Sequence, residues 1–265
     1  MTHKPTISAI IITYNEERNI RACLQSLRDW VDEIVVVDSA STDATVAIAQ
    51  EFGAVVKQTQ DWPGFGPQKN RALSLATSEW VLSIDADERI TPELSIEIQQ
   101  VMRGQHEGQA FEIPRFSSYC GRFMKHSGWY PDYVLRLFKR GHAQFSNDLV
   151  HERVTTEDHI AKLSHPLLHF SFNNFSQVLK KIDAYSEASA LQAYKKGRRA
   201  NVFTAVGHGL WSFIKTYFLK AGFLDGQHGL ALAISNGEGS YYRHLKIWLL
   251  ETNETSTDQR HTRDL

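Results

Sequence analysis

The chain has 265 residues, 42% hydrophobic and 22% charged; this is an ordinary globular composition that excludes wholesale disorder and fibrous repeats. At this length one large domain, or one domain with an appendage, is expected. Its 29 basic and 30 acidic residues nearly cancel, so no global charge points to nucleic acid.

Ile7–Thr13 is a nearly continuous apolar run, as buried parallel strands show. Residues 16–30 then turn helical, with Ile20, Cys23, Leu24, Leu27 and Val31 at three- and four-residue steps. Ile34–Val37 reads as a second buried strand closing on Asp38. A helix from Thr42 to Phe52 follows, with Ser41 or Thr42 as N-cap and Gly53 as its stop. Ala54–Lys57 is a third strand, and the loop 61–67 leads into a helix over 68–76. Trp80–Ile84 is a fourth strand ending at Asp85, and Pro92 opens a helix to Met102. Alternating strands and helices predict an α/β domain with a mostly parallel sheet. After residue 104 short strands at 110–115, 134–138 and 167–172 alternate with aromatic segments, and 174–195 is helical. The expected organisation is a catalytic domain over 1–172, with halves meeting near 104, a helical extension over 173–251 and a disordered tail over 252–265.

The first turn lacks the glycines of a dinucleotide-binding fold, since the first glycine is Gly53. No Gly-Lys pair exists, so there is no P-loop. Two cysteines, Cys23 and Cys120, are too few for a disulfide framework, which fits a reducing compartment. No signal peptide is read, and no run of about 18 uninterrupted apolar residues predicts a membrane span.

Ligands of open α/β sheets sit beyond the carboxyl ends of the strands. Three strands end there in polar groups: Thr13-Tyr14-Asn15-Glu16, Asp38-Ser39 and Asp85-Ala86-Asp87. On extended backbone Asp85 and Asp87 point to one side. Two close carboxylates call for a cation, and Mg²⁺ or Mn²⁺ is the ion that shares oxygen ligands with phosphates. An exposed acidic turn is the alternative.

These segments resemble the family 2 glycosyltransferases of GT-A fold. Ser8–Glu16 resembles that family's first strand and turn, Glu33–Asp43 its second strand and nucleoside-binding turn, Gln68–Ala72 its basic helix start, and Asp85-Ala86-Asp87 its metal motif. Further on, Tyr133–Arg140, Val150-His151-Glu152 and Gly222–Gly226 resemble the bacterial lipopolysaccharide core β-1,4-glucosyltransferase-like branch. The resemblance implies an inverting transfer of a sugar, glucose from UDP-glucose, onto a lipid-linked glycan with a divalent metal. Asp38 would read the donor base, and Thr13, Tyr14, Asn15, Glu16 and Ser39 would line the nucleoside pocket. Lys69 and Arg71 would face the diphosphate at a helix start; solvated surface is the other reading for both. Asp85 and Asp87 would hold metal and donor. An acceptor hydroxyl needs a base; Glu152 is the first candidate and Asp132 the second. His169 is a candidate third metal ligand or a hydrogen-bonded core histidine.

From Ala188 to Phe223 there is no Asp or Glu, while Lys195, Lys196, Arg198, Arg199, Lys215 and Lys220 interleave with aromatics. That pattern fits a helical surface on anionic lipid, or else a helix packed on the catalytic domain. The expectation is a protein peripheral to the inner face of the cytoplasmic membrane, with no nucleic-acid partner. Two rivals remain at this point: a sugar nucleotidyltransferase, and a non-catalytic membrane-surface binding protein on the same fold.

Overall fold

The computed structural model describes residues 4–104, 108–147 and 153–261, with side chains as far as Thr252. The chain divides into two compact units, Met1–Phe116 with Pro131–Phe170, and Ser117–Tyr130 with Ser171–Leu265. A single cut at residue 172 leaves out the excursion at 117–130.

In the first unit β1 (Ile7–Thr13) is central. It pairs in parallel with β2 (Glu33–Asp38) and β4 (Trp80–Ser83), and β2 with β3 (Val55–Gln58). Helices α1 (Glu17–Leu27), α2 (Thr45–Glu51) and α3 (Phe65–Leu75) make the crossovers that parallel pairing requires. Beyond β4 the pairing becomes antiparallel. β8 (Asp132–Lys139) lies between β4 and β6 (Ala110–Tyr119), and β12 (Leu167–Phe172) pairs with β5 (Glu88–Ile90). The order is β3-β2-β1-β4-β8-β6-β12-β5, with β11 (Ile160–Lys162) parallel to β6. β9 (Gln144–Phe145) and β10 (Val154–Thr155) form a separate antiparallel pair.

The near-continuous apolar strands are explained by burial on both faces. Ile7, Ala9 and Ile11 pack with Ile20, Cys23, Leu24 and Leu27 of α1 and with Leu94, Ile98 and Val101 of α4 (Pro92–Met102). Ile10, Val35, Val37 and Val81 face the other way, onto Ala72 of α3 and onto Phe138 and Phe145. Each large side chain so buried contributes about 1.5–3 kcal/mol. Thr91 caps α4 by accepting from the Leu94 amide at 3.1 Å, ahead of Pro92 in the first turn.

Two helix starts differ from the sequence reading. α2 begins at Thr45, because Ser41 is engaged by Asp38 instead of capping the helix: its amide and hydroxyl both donate to that carboxylate. α3 begins at Phe65, because Gly64 turns the chain at φ 106° and Pro67 sits in the first turn, where a missing N–H costs nothing.

In the second unit β7 (Arg122–Phe123) doubles back on the end of β6. α5 (Phe175–Lys195) is capped by Asn174, and α6 (Val202–Ile214) opens with a capping box between Asn201 and Thr204. A π turn (Lys215–Leu219) and a 3₁₀ turn (Gly222–Asp225) lead into α7 (Gly226–His261). The polar stretch from Thr252 to His261, read from sequence as a disordered tail, lies within α7. α6 and α7 meet where Gly209 faces Gly237: a Cβ at Gly209 would lie 3.2 Å from the Gly237 carbonyl and 3.1 Å from Tyr241 Cβ. Asp225, 3% exposed, accepts from the amides of Lys125 and His126 at 3.2 and 3.0 Å and from the Ser127 hydroxyl at 3.1 Å.

Candidate active site

The carboxyl edge of the parallel strands brings three polar segments together. Thr13 pairs in register with Asp38, and the Ile84 amide donates to the Ile10 carbonyl at 3.1 Å, carrying Asp85 to the same edge. The β1 and β2 loops are stitched to each other. The Asn15 amide donates to Ser41 Oγ at 2.8 Å, the Thr42 amide to Asn15 Oδ1 at 2.8 Å, and the Glu16 amide to Thr45 Oγ1 at 2.7 Å. Asn15 makes this possible at φ 54°, a left-handed conformation that Asn tolerates better than most residues.

Asp38 is fully buried. Its carboxylate accepts from Thr13 Oγ1 at 2.9 Å, from the Ser41 amide at 2.9 Å and from Ser41 Oγ at 2.5 Å. Ser39 Oγ accepts from Gln68 Nε2 at 3.0 Å. Tyr14 is exposed, 61% of its surface being open to solvent beside this loop.

Asp85 and Asp87 do not point the same way, because the backbone turns at Ala86 and Asp87 and the Glu88 amide closes on the Asp85 carbonyl at 2.9 Å. Asp85 lies between two cations: Lys69 Nζ is 3.0 Å from one oxygen and Arg136 2.5 Å from the other. Burial alone would raise the Asp85 carboxyl; Arg136 and Lys69 outweigh it and hold the group far below the usual carboxylate range. Arg136 also donates to Glu88 at 2.7 Å. Burial would lower the guanidinium, but Asp85 and Glu88 overturn that and raise it. Burial pushes the Glu88 carboxyl up, and Arg136 offsets this only in part.

Asp87 turns instead to His169, whose Nε2 is 3.3 Å from its carboxylate. The Glu16 carboxyl is raised by burial first, and then by the negative charges of Asp87, Asp43 and Asp85. Asp87, Glu16 and His169 therefore make an electronegative corner that a cation would relieve. Among the described residues no three acidic, His or Cys groups close on an ion by themselves. One carboxylate beside one imidazole fits a divalent ion that takes its remaining ligands from substrate.

The other named residues separate. Arg71 is turned away onto Asp61 at 2.6 Å, so of the two basic residues on α3 only Lys69 reaches the strand edge. Asp132 accepts from Arg115 at 2.6 and 3.0 Å and is thereby already neutralised. Glu152 lies outside the described residues. A cavity of about 470 Å³ is lined by Lys69, Asp85, Arg115, Tyr133, Arg136 and Arg153 among others. The buried Arg136 Nε has no hydrogen-bond partner among the described residues. Arg136, Glu88 and Arg115 were not read as site residues from the sequence. The available signal was an arginine inside the apolar strand Val134-Leu135-Arg136-Leu137-Phe138, since a charge buried in a strand requires partners.

Compared with known proteins, residues 8–157 match the family model described as Glycosyl transferase family 2. An uncharacterized glycosyltransferase of Rickettsia typhi is 31% identical over 252 residues, covering 91% of this chain and 86% of its own length. The lipopolysaccharide core biosynthesis glycosyltransferase LpsC of Rhizobium meliloti is 29% identical over 262 residues, covering 92% and 95%. The crystal structure of S. aureus TarS 1-349 superposes with TM-score 0.50 at 20% identity, over 89% of this chain and 81% of that one. The same protein in complex with UDP-GlcNAc gives TM-score 0.50 at 18% identity, with the same coverage. The likeness to TarS is one of fold, the GT-A fold.

Proposed function

The chain belongs to glycosyl transferase family 2, and from that premise we propose that it is an inverting, metal-dependent enzyme that moves glucose from UDP-glucose onto a lipid-linked glycan such as the lipopolysaccharide inner core. Its class as a glycosyltransferase sets aside the nucleotidyltransferase and non-catalytic readings. LpsC supports the acceptor class, and the UDP-GlcNAc complex of TarS supports a UDP-sugar donor. The sugar itself rests on the resemblance of residues 133–140 and 222–226 to the glucosyltransferase-like branch.

The observation that carries the mechanism is the pairing at the end of β4, where Asp85 sits between Lys69 and Arg136 and Asp87 beside His169. Asp87 and His169 would hold the divalent ion, which, when bound, neutralises the leaving diphosphate. Lys69 and Arg136 supply fixed positive charge beside it, and the unpartnered Arg136 Nε is a donor for an anionic oxygen. Asp38, Ser39, Thr13, Tyr14, Asn15 and Glu16 form the nucleoside end. Asp38 reads the base with whatever acceptor capacity its three internal bonds leave. Arg71 adds only distant charge. Glu152 takes the proton of the attacking hydroxyl; Asp132 is the second choice, because its carboxylate is already engaged by the Arg115 guanidinium. The enzyme would act as a peripheral protein at the inner face of the cytoplasmic membrane. Among the described residues no helix is long and apolar enough to cross a membrane.

Donor hydrolysis measured across nucleotide-sugars, with and without Mn²⁺, tests this reading. UDP-glucose should turn over best and only with metal. Asp87→Ala should cut turnover on the order of a hundredfold or more, and Glu152→Gln should cut transfer comparably while nucleotide affinity survives. Full activity in excess chelator overturns the metal. Near-normal transfer by Glu152→Gln together with loss in Asp132→Asn moves the base to Asp132.

A further inference from the structure

Helix α6 carries its hydrophobic side chains outward. Toward α7 it presents small or hydroxylated residues. Ala205 and Gly209 are buried, Ser212 donates to the Asn236 carbonyl at 3.0 Å, and Thr216, just beyond the helix, accepts from Asn236 Nδ2 at 3.3 Å. Steps of four, three and four place these on one helical face. The opposite face carries Phe203, Leu210, Trp211, Ile214 and, in the π turn, Phe218, exposed by 87, 60, 55, 41 and 57%. Leu219, Phe223 and Leu224 continue the surface at 64, 49 and 56%. A surface helix in water shows the reverse arrangement. Small residues at the helix contact and large apolar ones outside is the arrangement of helices packed in lipid. Scattered exposed apolar residues need no explanation, but a contiguous patch marks an interaction surface.

The charges around the patch identify what it meets. Lys195, Lys196, Arg198 and Arg199 are exposed before α6, and Lys215 and Lys220 are exposed at its far end. No acidic residue occurs from Ala188 to Leu224. A protein partner of this composition would have to be both apolar and acidic, whereas an anionic bilayer is both by construction.

We propose that the outer face of α6 and the turn after it lie flat in the interface of an anionic bilayer. The apolar side chains enter the acyl boundary, and the basic residues at both ends rest on lipid phosphates. A flat orientation follows from Lys215 and Lys220, which an upright insertion would drive into hydrocarbon at high cost. The inference rests on the membrane-surface part of the proposed function and adds the residues and their orientation.

The test is flotation of the full chain with phosphatidylglycerol-containing vesicles and with phosphatidylcholine vesicles. Tight binding to the anionic vesicles, weakened but not abolished by high salt, is expected. Combined Phe203→Ser, Leu210→Ser and Trp211→Ser should weaken it roughly a hundredfold while thermal unfolding and donor hydrolysis stay unchanged. In a Cys120→Ser background, an environment-sensitive dye on Leu210→Cys should shift blue with vesicles, and one on Ile96→Cys of α4, 56% exposed, should not. Undiminished binding by the triple variant overturns the inference and leaves attachment by charge alone. Absence of vesicle binding with intact donor hydrolysis overturns it and leaves the glycosyltransferase reading standing. A dimer that the triple variant dissociates assigns the face to a second copy and overturns it as well.

Discussion

The strands of the first unit and the helical pair of the second obey opposite rules of side-chain size. Along β1 the large residues Ile7, Ile10 and Ile11 are the buried ones, at 1–2% exposure. Along α6 the buried residues are Ala205 and Gly209, and the large ones face out. In the first unit stability comes from apolar volume removed from water. Where α6 meets α7 it comes from backbone proximity, which small residues permit. The amount of apolar surface a segment contains therefore does not say what holds it together.

The largest effect that sharpens this contrast is Arg136→Met. It leaves the fully buried Glu88 and the half-buried Asp85 with less compensation, and should cost about 3–5 kcal/mol in urea unfolding. Next is a matched pair of truncations. Leu82→Ala, in a fully buried site, should cost about 2–5 kcal/mol. Leu210→Ala, 60% exposed, should lie within about 0.5 kcal/mol of the parent protein; a large loss there would break the contrast. Gly209→Leu should cost about 1–3 kcal/mol by overpacking, so that at α6 enlarging a small residue harms more than truncating a large one. The last is Glu97→Gln on α4, in the first unit. Glu97 accepts from the Ser164 and His165 amides at 2.8 and 3.0 Å. Burial raises its carboxyl, but these bonds and the His165 side chain outweigh that and lower it below the ordinary value. A lowered folded-state value means the stabilisation is present above the unfolded carboxylate range and is lost as pH falls through the folded one. The variant should be about 1–2 kcal/mol less stable at neutral pH, and the difference should close in acid. A gap that persists well below the carboxylate range would assign the loss to shape instead of charge.

The parallel half was legible in the sequence because each strand is short, apolar on both faces and closed by a polar turn; Ile7–Thr13 was read to the residue, and Pro92 as the start of α4. The antiparallel additions were less so. β5, β7 and β9–β11 are two or three residues long, too short for a period-two pattern to register. On α5 the apolar residues are only partly buried: Val178 is 4% exposed, but Phe175, Leu179 and Tyr185 are exposed by 47, 46 and 60%. At the site the three strand ends could be read from position. The separation of Asp85 from Asp87 could not, because it depends on a turn at Ala86 and on Arg136, 51 residues away from Asp85.

The Asp225 carboxylate has a consequence for synthesis. The backbone amides and hydroxyl it satisfies, from Lys125 to Ser127, leave the ribosome 98 to 100 residues earlier. At ordinary elongation rates that is a wait of about 5–20 s. During it the 117–130 segment has no carboxylate to close upon, and loop closure over such a distance favours nearer contacts first. The helical unit is thus completed last, after the strands of the first unit have left the ribosome. A chain ending before residue 225 should carry this segment in a protease-sensitive state, and the full chain, which adds Asp225, Leu232 and Ser235, should not.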